Sequence, residues 1–168
     1  STLPPRHSRC APRIVIDGVT FKSSEHLFQM MKFKNKEVLL NIKNGVTNNG
    51  KTCHQVKKTV KSYEKDYRRE DWGQMIVDAI KFCIQKKYEQ SETFRQTLAA
   101  SEGYYIVEDQ TSFPKKTPDT WGVKQKEDSF VGPNLLGRLL MELRENGKLE
   151  YHLPVDALNF IQTIQSHL

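Results

Sequence analysis

From Trp72 to Lys87 the apolar residues Met75, Ile76, Ala79, Ile80 and Cys83 recur at intervals of three and four, the period of one buried helix face. The preceding stretch, Thr52 to Tyr67, places lysines around Val56 and Val60 at the same period. Two long helices in succession leave little chain for a sheet. The remaining strand candidates are few: "RIVIDGVTFK" (13–22), two β-branched runs around Asp17-Gly18 and so a hairpin, and "YYIVE" (104–108), the best single strand of the second half.

The other helices follow from their boundary residues. Ser23 and Ser24 precede "EHLFQMMKFKNK", a good helix start followed by strong helix formers. "VLLNI" is open between strand and helix end, and "ETFRQTLAA" is a short helix. Residues 109–132 read as one long loop with two prolines, of a length that ordered domains usually reserve for function. "PNLLGRLLMELREN" is a helix stopped by Gly147, and Pro154 opens a last one. At 168 residues the chain suits a single domain.

"GVTNNGKT" (45–52) fits the G-x-x-x-x-G-K-[ST] spacing of phosphate-binding loops. Such a loop needs a buried strand before it and a parallel sheet around it, and the strand count here is too low. A turn before a basic helix is the stronger reading. A phosphate-loop ATPase stays as an alternative, with "YYIVED" as its acidic strand.

No apolar run reaches membrane-span length, and nothing reads as a secretory signal, so the cytoplasm is the expected compartment. Cys10, Cys53 and Cys83 are odd in number and scattered, which suits a reducing compartment; no spacing implies a metal or a cofactor. The net charge of +6 is concentrated between Lys43 and Arg69, where eight cations face Glu64 and Asp66. A solvated lysine face or an attraction for nucleic acid or a phosphorylated small molecule both follow.

Two polar stripes stand out. Glu25, Phe28, Gln29 and Lys32 share one face at i, i+3, i+4 and i+7, a mixture that suits a site wall or a polar face with one stray aromatic. Asn134, Gly137, Met141 and Arg144 form a second stripe, distinct from the leucine side of their helix. Glycine inside a helix points to close approach by a backbone or a ligand. Asp119 and Trp121-Gly122 lie just before that helix, an aromatic beside a carboxylate and so a candidate stacking platform or a core plug.

"GVTFKSSEHLFQMMKF", "DWGQMIVDAIKFCIQ", "DTWG" and "GPNLLGRLLMELR", in this order, resemble the conserved blocks of the NADAR family, the YbiA-like N-glycosidases associated with NAD and ADP-ribose. The resemblance runs from about residue 14 to residue 144, with 145–168 as a C-terminal helical extension. It implies an α-rich α+β fold, multihelical with a small β component, and hydrolysis of an N-glycosidic bond at ribose C1′. The substrate it implies is ADP-ribosylated guanine in nucleic acid, a phosphorylated intermediate of riboflavin synthesis, or, without turnover, bound ADP-ribose or nucleic acid. Carried across by motif, Glu25, Lys32 and Asp119 are the catalytic candidates: Glu25 to stabilise charge on the sugar or orient a water, and Lys32, as the alternative attacking group, to form a Schiff base with an opened C1′ aldehyde. His26, Phe28, Gln29, Trp72, Trp121, Gly122, Asn134, Gly137 and Arg144 are the substrate-binding candidates. Two departures bear on substrate choice: "RHSRCAP" stands where the family has an aromatic "FSNF"-like stretch, and the connection from Glu108 to Asp119 is longer than usual.

Overall fold

The computed structural model describes residues 12–44 and 52–165, and for 52–55 the backbone alone. The phosphate-loop pattern, apart from Thr52, and nearly all of "RHSRCAP" therefore lie outside the described residues. These fall into two compact units, one of 12–90 with 150–165 and one of 91–149. Together they carry seven helices and two antiparallel hairpins, an α-rich α+β fold. Among the described residues no helix is long and apolar enough to cross a membrane.

In the first unit, β1 (Ile14–Ile16) and β2 (Val19–Phe21) pair with Ile16 opposite Val19. Both turn residues, Asp17 and Gly18, have positive φ, as a two-residue hairpin requires. α1 (Ser24–Met30) is capped by Ser23, whose hydroxyl accepts the His26 N–H. It packs on α2 (Lys36–Asn44), α3 (Thr52–Tyr67) and α4 (Trp72–Gln90), and α7 (Asn159–Gln165) closes on α2. One apolar core joins Ile14, Leu27, Met31, Leu39, Val60, Met75, Cys83 and Phe160.

The second unit holds α5 (Glu92–Ala100), packed against α6 (Leu135–Asn146), with β3 (Lys124–Lys126) and β4 (Ser129–Val131) between them in sequence. α6 stops at Gly147, which takes φ 69° and returns its N–H to the Leu143 carbonyl.

Four elements differ from the sequence reading. α1 ends at Met30 because tertiary hydrogen bonds take over: Phe33 bridges to Arg68, and Arg69 N–H donates to the Lys32 carbonyl at 2.8 Å. The last helix begins at Asn159, five residues after Pro154, because a turn closed by Ala157 N–H on the Pro154 carbonyl comes first. The long loop contains the β3–β4 hairpin. "YYIVE" is no strand: it is a strap whose end meets Val123 in an isolated parallel bridge at Asp109, with Val123 N–H donating to the Glu108 carbonyl at 2.8 Å. A side chain supplies further partners. Asn134 donates from Nδ2 to the Ile106 carbonyl at 2.9 Å and accepts the Glu108 N–H at 3.0 Å.

Candidate functional site

The α1 stripe is built as a cluster. Ser23 fixes where the helix starts, and one turn later Gln29 Nε2 donates to Glu25 Oε1 at 2.9 Å. Lys57 of α3 approaches the same oxygen at 3.7 Å. The Glu25 side chain is only 12% exposed, so the carboxylate is held by an amide and a cation with little water. Gln29 Oε1 is buried and has no hydrogen-bond partner among the described residues. It is a buried acceptor with its hydrogen bond unmade.

Lys32 sits in the turn that ends α1. Its Nζ lies 5.8 Å from the Phe28 ring centre and 5.7 Å from that of Trp72, while those two rings tilt against each other at 5.3 Å. Trp72 reaches this place because it opens α4, its N–H bonded to the Arg69 carbonyl. Lys32 Nζ donates to Glu64 of α3 at 2.6 Å. The amine is therefore a paired ammonium over two aromatic faces. A Schiff-base lysine needs the neutral amine, kept so by burial or a second cation, and here the neighbour is a carboxylate.

His26, one residue after Glu25, turns to another side of α1. It is 2% exposed, its Nδ1 pairs with Ser23 Oγ at 2.7 Å, and Nε2 has no partner among the described residues. Burial, and then the charge of Lys22, hold its pKa below the usual histidine value, with Glu25 pulling the other way. Cys83, buried beneath, has its thiol pushed well up by burial and then by the charge of Glu25, so it remains a protonated core residue.

The remaining candidates belong to the second unit. Asp119 and Gln110 clamp each other: Gln110 Nε2 donates to the carboxylate at 2.6 Å, and Asp119 N–H donates to Gln110 Oε1 at 3.0 Å. The same carboxylate accepts the Trp121 N–H at 2.9 Å, which sets the turn carrying that half-buried indole. A Cβ on Gly122 would meet the Glu108 carbonyl oxygen at 2.6 Å, so glycine is required where turn and strap cross. Asn134 and Gly137 serve the strap. Arg144 donates to the Ser101 and Tyr104 carbonyls at 2.8 and 2.9 Å and from Nε to Glu145 at 2.9 Å. Its Nη1 is engaged by the α5–strap turn and its Nε by a neighbouring carboxylate.

Lys57, Glu64 and Gln110 were not singled out from sequence. Lys57 and Glu64 stand at i and i+7, one face of α3, and that spacing was the available signal; counted only as charge, the two cancelled. Gln110 carried none. Among the described residues no three histidine, cysteine, aspartate or glutamate side chains gather as metal ligands.

The NADAR domain matches residues 4–147 of this chain. A riboflavin biosynthesis protein of Vibrio vulnificus strain YJ016 is 26% identical over 153 residues, 89% of this chain but 36% of that protein, so the chain spans about a third of its relative's length. The solved structure of the Escherichia coli protein YbiA matches with a TM-score of 0.61 and 28% identity, covering 89% of this chain and 82% of that one.

Proposed function

The chain belongs to the NADAR domain family, and on that premise we propose that it is an N-glycosidase, hydrolysing the bond between ribose C1′ and a base nitrogen. The observation that carries this reading is the Glu25 carboxylate, shielded from water and held by Gln29 and Lys57 on the α1 stripe that ends in Lys32. Cleavage of C1′–N develops positive charge on the sugar, and a carboxylate poised there stabilises it and orients water. Water then gives its hydroxyl to C1′ and its proton to the departing nitrogen. Gln29 Oε1 accepts a ribose hydroxyl, and the Lys32 ammonium beside Phe28 and Trp72 meets negative charge on the substrate.

The substrate read here is ADP-ribosylated guanine in nucleic acid. α3 supports it, for besides Lys57 it exposes Lys58, Lys61 and Lys65. The name of the Vibrio relative supports a second reading, a phosphorylated riboflavin precursor.

The test is mass-spectrometric detection of ADP-ribose released from an ADP-ribosyl-guanine oligonucleotide, with Glu25→Gln in parallel. Release by the parent, lost in the variant and falling steeply with salt, supports the nucleic-acid substrate. Turnover of riboflavin precursors alone, again lost in Glu25→Gln, moves the substrate to the second reading. Turnover unaffected by Glu25→Gln removes the mechanism.

A further inference from the structure

The first unit contains a cleft of about 400 Å³ that involves none of the Glu25–Lys32 cluster. His26 and Met30, four residues apart on α1, line it, with Phe21 and Lys22 from the end of β2 and Lys43 from the last turn of α2. Successive helix residues point about 100° apart, so His26 looks to a different side from Glu25.

The cleft is cationic. Lys22 and Lys43 bring two ammonium groups, and among the described residues no aspartate or glutamate lines it. Lys22 Nζ and His26 Nε2 are both buried without a hydrogen-bond partner among the described residues. Buried polar groups without partners cost free energy that an acceptor in the cleft would recover. Ser23 holds the imidazole by Nδ1, so Nε2 is the nitrogen left for that acceptor. Two cations and an imidazole match a dianion better than a monoanion, which would leave positive charge in excess.

We propose that this cleft binds a phosphoryl group, as free phosphate or as the end of a phosphomonoester, with Lys22 Nζ and His26 Nε2 donating to its oxygens and Lys43 completing the charge. The apolar walls from Phe21 and Met30 suit the body of a small ester. Burial, and then Lys22, depress the His26 pKa; a bound dianion offsets the Lys22 charge and raises it, with Glu25 on α1 and Lys43 on α2 as the other charges nearby. The proposal does not rest on the glycosidase reading.

The experiment follows the His26 ring nitrogens of the full chain by NMR during titration with inorganic phosphate and, separately, ribose 5-phosphate. The expected result is a saturable shift of Nε2 with a raised His26 pKa. Lys22→Met, which keeps the aliphatic stem and removes an unpartnered ammonium, weakens binding about tenfold, the loss of one charge-assisted hydrogen bond. Lys22→Arg restores it, and Glu25→Gln, which only removes a negative charge beside His26, leaves a saturable site in place. Tighter binding of the ester identifies a phosphomonoester site, and equal binding a free-phosphate site. The proposal is overturned if neither ligand gives a saturable shift, if folded Lys22→Met and Lys43→Met both bind like the parent, or if Glu25→Gln abolishes binding.

Discussion

At the scale of single residues, the decisive geometry is the 2.6 Å contact from Lys32 to Glu64. On the proposed reading it makes Lys32 a fixed cation rather than a nucleophile. Removing the charge of Glu64 separates the two roles. Glu64→Gln is expected to lower kcat/KM about tenfold, the scale of one charge-assisted hydrogen bond, with no borohydride-trapped adduct by mass spectrometry in parent or variant. A trapped adduct that increases in Glu64→Gln would mean that the released amine attacks C1′, and the cation role would fall. Glu25, Gln29 and Lys32 were visible in the sequence because helical spacing alone puts them on one face. Glu64 stands 32 residues away, and no local period encodes a pairing set by how α3 lies on α1.

Elements show the same divide between local and tertiary causes. The first hairpin was legible because Asp17-Gly18 is the turn its geometry demands; the second turns on Glu127-Asp128, without glycine, between strands largely exposed, so neither turn chemistry nor alternation announced it. The strap at 104–108 has strand composition, yet Asn134 takes the hydrogen bonds a neighbouring strand would take, from a left-handed backbone (φ 52°) that asparagine tolerates. Gly137 completes this joint. Helix propensity alone says Gly137→Ala should stabilise α6 by about 1 kcal/mol. A Cβ there would overlap the Ile106 carbonyl oxygen and the Asn134 amide, and overpacking of this kind costs about 1–3 kcal/mol, more where backbone must move. The steric cost wins. Denaturant unfolding of Gly137→Ala is expected to show a net loss of about 2 kcal/mol; a more stable variant would mean the strap yields freely and is not held by α6.

On the scale of the whole chain, one ion network joins segments far apart in sequence within the first unit. Arg69, its side chain 3% exposed, binds Asp71 at 2.9 Å and Asp156 at 2.7 Å, and Lys34 reaches Asp156 at 3.0 Å. The turn before α4 is thereby tied to the segment that leads into α7. The Arg69 hydrogen bond, and then that of Lys34, pull Asp156 from the ordinary 3.8 down to about 2, and Arg69 also lowers Asp71. A carboxylate with a depressed folded pKa contributes stability that is complete above its unfolded value and lost as protons are forced on. For Asp156 that window runs from about pH 4 down to about pH 2. The acid limb of the unfolding curve, followed by circular dichroism, is therefore expected to steepen in this window. Asp156→Asn should flatten it, with the two proteins converging at its lower end, where the parent carboxylate is also neutral. High salt should shrink the difference, because the Lys34 and Asp156 side chains are 65% and 39% exposed and open to screening. An Asp156→Asn curve parallel to the parent through this window would show that Asp156 is equally easy to protonate folded and unfolded, and that the tie from Arg69 to the C-terminal segment does not survive in solution.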